Sequence, residues 1–330
     1  MHAVRLHAFG PAENLRPEEL PDPVPGPGEV RIAVAAAGVH LLDTALREGR
    51  AGGPAHALPE LPTVPGREVA GTVDALGEGT DPSWLGKRVV AHLGMVPGGY
   101  ASRAVTSAAR LHEIPDGLDA AAAVAMIGTG RTTLGILGFT TLGPDSVAIV
   151  PAAAGGIGTL LVQYAKGAGA TVIALAGGPA KTARAVANGA DLAVDYDLPD
   201  WPARVREFLG PRRATVVFDS VGGATARAAV DLLGEGGLHL VFGWSGGEPL
   251  HLTEAEQQRR GISSQSVLGP AMLARAGGPD PLRTLETRAL AEAAAGRLVP
   301  AVQRYPLARA ARAHHDLENR ATTGKVVLEP

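Results

Sequence analysis

The sequence predicts an α/β chain of two parts, a β-rich domain followed by a doubly wound parallel sheet. Three observations carry this. The 330 residues exceed what one ordinary hydrophobic core accommodates. Up to about Ile114 short β-rich runs alternate with turn residues, and beyond Val147 short apolar runs alternate strictly with helical stretches.

In the first part Val30–Val34 and Val69–Val73 read as strands. Between Pro21 and Gly28 four prolines and two glycines break the chain, and Pro97-Gly98-Gly99 breaks it again. Arg50–Pro62 is rich in Gly, Pro and Ala and reads as a surface loop. In the second part Val147–Val150, Thr171–Leu175, Thr215–Phe218 and Leu238–Phe242 suit strands buried on both faces. Ile157, Leu160, Leu161, Tyr164 and Ala165 have the i, i+3, i+4, i+7, i+8 spacing of an amphipathic helix. From Pro281 onward one or two helices precede a last strand, Lys325–Leu328, which returns to the first domain. The expected boundaries are residues 1–122, 123–264 and 265–330, the third segment completing the first domain.

Composition excludes several functions. With 33 acidic against 30 basic residues and a net charge of -3, the chain lacks the basic footprint of a nucleic-acid partner. It has no cysteine, which excludes disulfides, thiolate zinc sites, iron–sulfur ligation and a cysteine nucleophile. The longest apolar stretch, Ala120–Leu142, is interrupted by glycines and Arg131, so no membrane span is expected. The N-terminus reads as a strand opening rather than a signal segment, and the cytoplasm is the expected location. His314 and His315 diverge by about 100° on a helix and form no metal pair.

The strongest local signal is Val147 to Gly158, a strand running into the turn Ala153-Ala154-Gly155-Gly156-Ile157-Gly158 and then a helix. In this context the turn reads as a dinucleotide site rather than a bare strand-to-helix connection. Gly155 lets the backbone approach a pyrophosphate, Gly158 lets helix and strand pack closely, and the helix N-terminus supplies amide donors. The next strand ends Leu175-Ala176-Gly177-Gly178, with no carboxylate to bind a ribose 2′-hydroxyl. Lys181 and Arg184 follow, which points to NADPH as the cofactor. Each base taken alone also reads as a solvated helix residue.

These features sit beside Gly28-Glu29-Val30, Ala37 to Asp43, Pro65 to Gly71 and Gly98-Gly99-Tyr100-Ala101, and beside Asn188 to Asp191, Asp195-Tyr196, Phe218 to Gly223 and Gly324 to Leu328. Together they resemble the zinc-independent quinone oxidoreductase branch of the medium-chain dehydrogenase/reductase superfamily over essentially the whole chain. The resemblance implies a GroES-like β-rich catalytic domain built from both chain ends, a central Rossmann domain, and a nicotinamide between them. It implies that Lys181 and Tyr196 contact a 2′-phosphate, that Thr132 lies near the nicotinamide, and that Phe242 and Gly243 lie along the cofactor. Ser220, Val221, Trp244 and Lys325 join the implied cofactor contacts. Taken alone, Tyr196 reads equally well as a core aromatic. Metal-dependent relatives carry cysteine and histidine ligands, whereas Arg67 stands at a ligand position here, so no metal is expected.

The implied chemistry is metal-free hydride transfer from NADPH to a carbonyl-conjugated small molecule, a quinone or an α,β-unsaturated carbonyl compound. His40, where this branch often has asparagine, is the candidate donor to the substrate oxygen and also a candidate cofactor contact; its other reading is plain packing. Asp43, Arg67 and Thr132 complete the candidate catalytic set, Asp43 as the residue that orients the loop after the strand. Position 45 is alanine, so a tyrosine acid is in doubt there. Arg47, Arg67 and Arg131 are candidates for an acidic substrate group. Two alternatives stand beside this reading: an enoyl-thioester or polyketide-intermediate reductase, and a non-catalytic NADPH-binding sensor or structural protein. A homodimer is expected, with Leu238–Phe242 and Ile262–Leu268 as candidate edge strands.

Overall fold

The computed structural model describes residues 1–50, 57–94 and 96–330; of the loop expected over Arg50–Pro62, residues 51–56 lie outside the described residues. Met1–Thr129, Ala289–Ala294 and Pro300–Pro330 form one compact unit, and Gly130–Arg288 with Ala295–Val299 form a second.

The first unit is organised on the eleven-residue strand Glu29–Val39. It pairs antiparallel with Lys325–Glu329, Glu68–Leu76 and Arg103–Ser107 within a seven-stranded sheet. Val30, Ile32 and Val34 alternate along it and bury one face against Val69, Val73, Val89 and Leu111. The chain end returns to this sheet as expected. Beside it lies Val302–Pro306, a strand the hydrophobic pattern conceals because Gln303 and Arg304 interrupt it at the sheet margin.

The second unit holds six parallel strands: Val147–Val150, Thr171–Ala176, Leu192–Asp195, Ala214–Asp219, Leu233–Val241 and Ser263–Ser266. In the sheet they lie in the order third, second, first, fourth, fifth, sixth. That order places a switch point between the first and fourth strands, where doubly wound sheets open a crevice at their carboxyl ends. Every residue of Val147–Val150 is buried, which explains its unbroken apolar run. The expectation for Leu238–Phe242 needs correcting: this run lies inside the sheet between the fourth and sixth strands. The edge belongs to Ser263–Ser266, whose polar side chains are largely exposed. The helical run Ala120–Leu137 is long and apolar enough to cross a membrane, yet 72% of it is buried within the protein.

Candidate active site

In the first unit a charged cluster forms around His40. The central strand ends at Val39 and helix Leu41–Arg47 begins two residues later. Asp43, in the first turn, reaches back to accept the His40 backbone N–H at 2.8 Å and so caps the helix. The pairings Ala37↔Val69 and Val326↔Val39 bring Glu68 and Lys325, the first residues of their strands, to either side. His40 Nε2 lies 2.8 Å from Glu68 Oε1, and Lys325 Nζ lies 2.7 Å from Glu68 Oε2. Glu68 is wholly buried, and Asp43 and Lys325 nearly so. Two glycines make room for its carboxylate. A Cβ on Gly38 would fall 2.2 Å from Oε2 and one on Gly128 only 1.5 Å from Oε1. Gly128 belongs to a single π-helical turn, Met126–Gly130, a distortion that recurs at functional sites.

Burial acts to neutralise Glu68, but His40 and Lys325 outweigh it and hold the carboxyl well below its usual range. Asp43 is likewise held low against burial, by His40 and Arg67. Burial also acts to discharge the His40 ring; the Glu68 carboxylate and the contact with Asp43 overcome it and the pKa rises. The two carboxylates beside the ring thus act to favour its protonated form. Its Nε2–H is directed at Glu68. Its Nδ1 is buried and makes no hydrogen bond; Asp43 Oδ2 faces it at 3.5 Å as an ion-pair contact.

Behind Asp43 the buried Tyr100 donates its hydroxyl hydrogen to Asp43 Oδ2 at 3.1 Å, and His314 Nε2 sits 3.0 Å from the same phenol oxygen. Because Tyr100 has one hydrogen to give, His314 must donate from Nε2. Its Nδ1 has no partner, so a second proton there would be buried and unsupported, and burial brings the His314 pKa down to about 4. The unfolded chain then binds a proton below about pH 6.5 that the folded chain refuses until about 4. Stability thus rises with pH across that window and is lost as pH falls through it. Unfolding at pH 5 is expected to be easier than at pH 7 by about 2 kcal/mol, and His314→Gln to flatten this slope. Denaturant midpoints at the two pH values check it.

The second unit builds the Gly-rich turn. A Cβ on Gly158 would lie 2.3 Å from Ala152 O and 2.7 Å from Ala153 Cα, so only glycine lets helix Gly156–Gly167 approach the first strand this closely. Ala152 takes a φ of 50°, a conformation alanine seldom adopts, and Ala153 N–H bonds to Leu175 O at 3.0 Å. The helix begins directly on this turn, with Gly155 as its N-cap, so its first-turn amides open at the carboxyl end of the first strand. The carboxyl ends of the parallel strands bring together Ala176–Gly178, Tyr196, Ser220, Val221 and Phe242–Trp244. Backbone bonds link these segments: Tyr196 N to Ala176 O at 3.4 Å, Phe242 N to Asp219 O at 2.9 Å, Ser245 N to Ser220 O at 3.0 Å. Lys181 stands on helix Pro179–Ala187 after the second strand, and Thr132 in the first turn of helix Arg131–Leu137.

Several expectations change. A carboxylate does reach the end of the second strand: Asp197 Oδ2 lies 2.6 Å from where a Gly177 Cβ would be. It arrives from the loop after the third strand, whose register sets Asp195 beside Ala176. Lys325 belongs to the first unit, where its ammonium lies against Glu68 beside His40. Of the arginines considered for an acidic substrate, Arg47 is buried in ion pairs with Glu48 and Glu318, and Arg131 pairs with Glu286 at 2.8 Å. Arg67 stays beside Asp43, with 3.7 Å between Nη2 and Oδ1. A cavity of about 290 Å³ opens there, with Leu6, Leu46, Leu58 and Pro65 among its apolar lining and Asp43 and Arg67 at its polar side. Sequence reasoning missed Glu68, Tyr100 and His314. The available signal was Glu68 itself, an acid set directly before the apolar run Val69-Ala70-Gly71, where burial demands partners.

A β-rich unit joined in sequence to a doubly wound sheet with a close-packed Gly-rich turn defines a dinucleotide-type dehydrogenase or reductase. The family model described as alcohol dehydrogenase GroES-like domain matches residues 26–116, and the one described as zinc-binding dehydrogenase matches residues 156–276. The quinone oxidoreductase of Pseudomonas aeruginosa is 32% identical, with 99% of each chain covered. A 2-haloacrylate reductase of Burkholderia sp is 31% identical over 99% of this chain and 98% of its own. The crystal structure of Escherichia coli quinone oxidoreductase complexed with NADPH matches with a TM-score of 0.86 and 29% identity, with 100% of both chains covered. The chain belongs to the quinone oxidoreductase branch of the medium-chain dehydrogenase/reductase superfamily. The second model's description mentions zinc, but this chain offers no cysteine ligand. Among the described residues no three His, Asp or Glu side chains group as metal ligands.

Proposed function

We propose that this chain transfers hydride from NADPH to a quinone or an α,β-unsaturated carbonyl compound, with His40 as donor to the substrate oxygen. The observation that carries this reading is the buried His40 Nδ1, which makes no hydrogen bond and has only the Asp43 carboxylate 3.5 Å away, while Nε2 is held by Glu68. The Gly-rich turn that opens helix Gly156–Gly167 directly after the first strand, closely packed through Gly158, supports a dinucleotide there. Ala153, Ala154, Gly155, Gly156, Ile157 and Gly158 would hold the pyrophosphate, and Lys181 with Tyr196 the 2′-phosphate. Ala176–Gly178, Ser220, Val221, Phe242, Gly243, Trp244 and Thr132 would line the rest.

Bound NADPH supplies the hydride that the acceptor carbon needs. As charge builds on the acceptor oxygen, His40 Nδ1–H donates to it, and a charged donor in a buried setting is far stronger than a neutral one in water. Glu68, kept ionised by Lys325, fixes the ring and restores its proton affinity after donation. Asp43 holds the helix start, and with it the His40 backbone, in place. The cavity beside Arg67 provides an apolar wall for a ring or alkyl chain. The same reading includes a cytoplasmic homodimer paired along Ser263–Ser266, whose outer side carries no neighbouring strand in this sheet.

The test follows absorbance as the protein meets NADPH, or NADH, with a panel of quinones, enones, 2-haloacrylates and enoyl thioesters. Faster oxidation of NADPH than NADH with quinones or enones is expected. Turnover confined to thioesters would favour the carrier-substrate alternative, and failure to bind NADPH would overturn the reading.

A further inference from the structure

A second buried polar chain lies in the parallel sheet, on residues the proposed chemistry does not use. Asp219 ends the fourth strand, His239 lies in the fifth and Ser264 in the sixth. The register sets Val217 beside His239 and His239 beside Ser264, so with the twofold alternation of strands all three side chains project from one face. Asp219 and His239 are wholly buried. Ser264 Oγ lies 2.8 Å from His239 Nδ1, and His239 Nε2 lies 3.2 Å from Asp219 Oδ2. The other Asp219 oxygen, Oδ1, accepts the backbone N–H groups of Val221 and Gly222, each at 2.9 Å.

The hydrogens can be assigned from the acceptors. An ionised Asp219 has none to give, so Nε2–H of His239 donates to it, Nδ1 is bare, and the Ser264 hydroxyl donates to Nδ1. Every polar atom of the chain is then satisfied with a neutral imidazole. Such complete satisfaction of buried groups makes a network rigid. What it fixes is the turn Ser220-Val221-Gly222, already tied to the segment after the fifth strand by Ser245 N to Ser220 O at 3.0 Å and Gly246 N to Val221 O at 2.7 Å. Gly222 has a φ of 72°, and a Cβ there would meet Glu248 O at 2.2 Å, so the turn has little freedom of its own.

We infer that Asp219, His239 and Ser264 are positioning residues for NADPH, a relay from the sheet edge that presets the Ser220–Gly222 turn in its cofactor-receiving shape. This rests on the reading that Ser220 and Val221 contact the cofactor. None of the three touches reacting atoms, so the relay acts on cofactor affinity and leaves the chemical step alone. His239→Leu strips Asp219 Oδ2 of its donor inside the protein. His239→Gln restores a donor for Asp219 and an acceptor for Ser264. Ser264→Ala removes only the last link, at a half-exposed edge position where the fold tolerates the loss.

The experiment measures the NADPH Kd by fluorescence titration, KM for NADPH, kcat, and the thermal midpoint of each full-length variant. His239→Leu is expected to raise the NADPH Kd and KM about tenfold, with kcat within about twofold of wild type. Ser264→Ala should raise Kd about threefold, and His239→Gln should recover most of the affinity. Should His239→Leu fail to fold, Ser264→Ala and His239→Gln decide. Unchanged NADPH affinity in a folded His239→Leu or in Ser264→Ala, or a His239→Gln variant no better than His239→Leu, overturns the relay. A wild-type protein that bound no NADPH would overturn the cofactor reading itself, a result distinct from variants that bind as wild type does.

Discussion

Glu68→Gln is expected to lower kcat/KM with a good acceptor about 100-fold at pH 7 and to move the basic limb of its pH profile downward. The Glu68 carboxylate is the main influence raising the His40 pKa, against burial and the Lys325 ammonium, which both lower it. Removing its charge leaves those two opposed mainly by the Asp43 contact, and the pKa falls. The sign is fixed by the proton inventory: while an acceptor at position 68 keeps a hydrogen on Nε2, His40 has an Nδ1–H to donate only as the imidazolium, so activity is present below its pKa and is lost as pH rises through it. A lower pKa brings that loss to lower pH. The substitution also leaves Lys325 buried opposite a neutral group, and breaking a buried pair costs about 3–5 kcal/mol. Glu68→Gln with Lys325→Met removes both charges and separates the effects: stability recovers, whereas the limb returns toward its original place only as far as the loss of the lysine allows. His40→Asn supplies a donor that does not titrate, and it should abolish the limb altogether. A profile for His40→Asn that retained the wild-type limb at full turnover would remove His40 from the chemistry.

The two units were unequally legible in the sequence. In the parallel sheet the strands are buried on both faces, so Val147–Val150 and its neighbours print themselves as unbroken apolar runs, and the turn at Gly155–Gly158 follows its strand directly. Its edge carried no such print. Ser263–Ser266 pairs on one side only and tolerates Ser and Gln, while the apolar Leu238–Phe242 lies inside. In the β-rich unit His40 and Asp43 stand three residues apart and could be taken together. The partners that give His40 its charge lie at positions 68 and 325, joined by antiparallel register rather than by local pattern. Asp197 illustrates the same limit: it stands twenty residues beyond Gly177 in sequence and beside it in space. An approach made by register leaves its only trace in residues that fit poorly where they stand, such as an acid directly before an apolar run or a glycine inside a strand. Glu68 and Gly38 are both of that kind.

Gly155→Ala and Gly158→Ala are expected to part company, and their difference isolates the cofactor from the fold. At Gly158 the added Cβ would meet main-chain atoms, Ala152 O at 2.3 Å and Ala153 Cα at 2.7 Å, which cannot rotate aside. Helix and strand must separate, so both the thermal midpoint and NADPH affinity should fall, the affinity by at least about 100-fold. At Gly155 the backbone already has φ -78° and ψ 175°, a conformation alanine adopts freely. The added Cβ there would have one near neighbour, Ala152 O at 3.2 Å. The unliganded fold should therefore keep its thermal midpoint to within about 2 °C, since a substitution without backbone strain or a forced clash changes stability little. A pyrophosphate pressed against the same backbone would meet the new methyl, and NADPH affinity should drop about tenfold or more through that clash alone. Scanning calorimetry with and without NADPH reads both quantities on one sample, because a ligand that binds only the folded state raises the midpoint in proportion to its affinity. If Gly155→Ala shifted with NADPH as the wild type does, the pyrophosphate would have to lie elsewhere, and the assignment of this turn would fall while the packing argument for Gly158 stood.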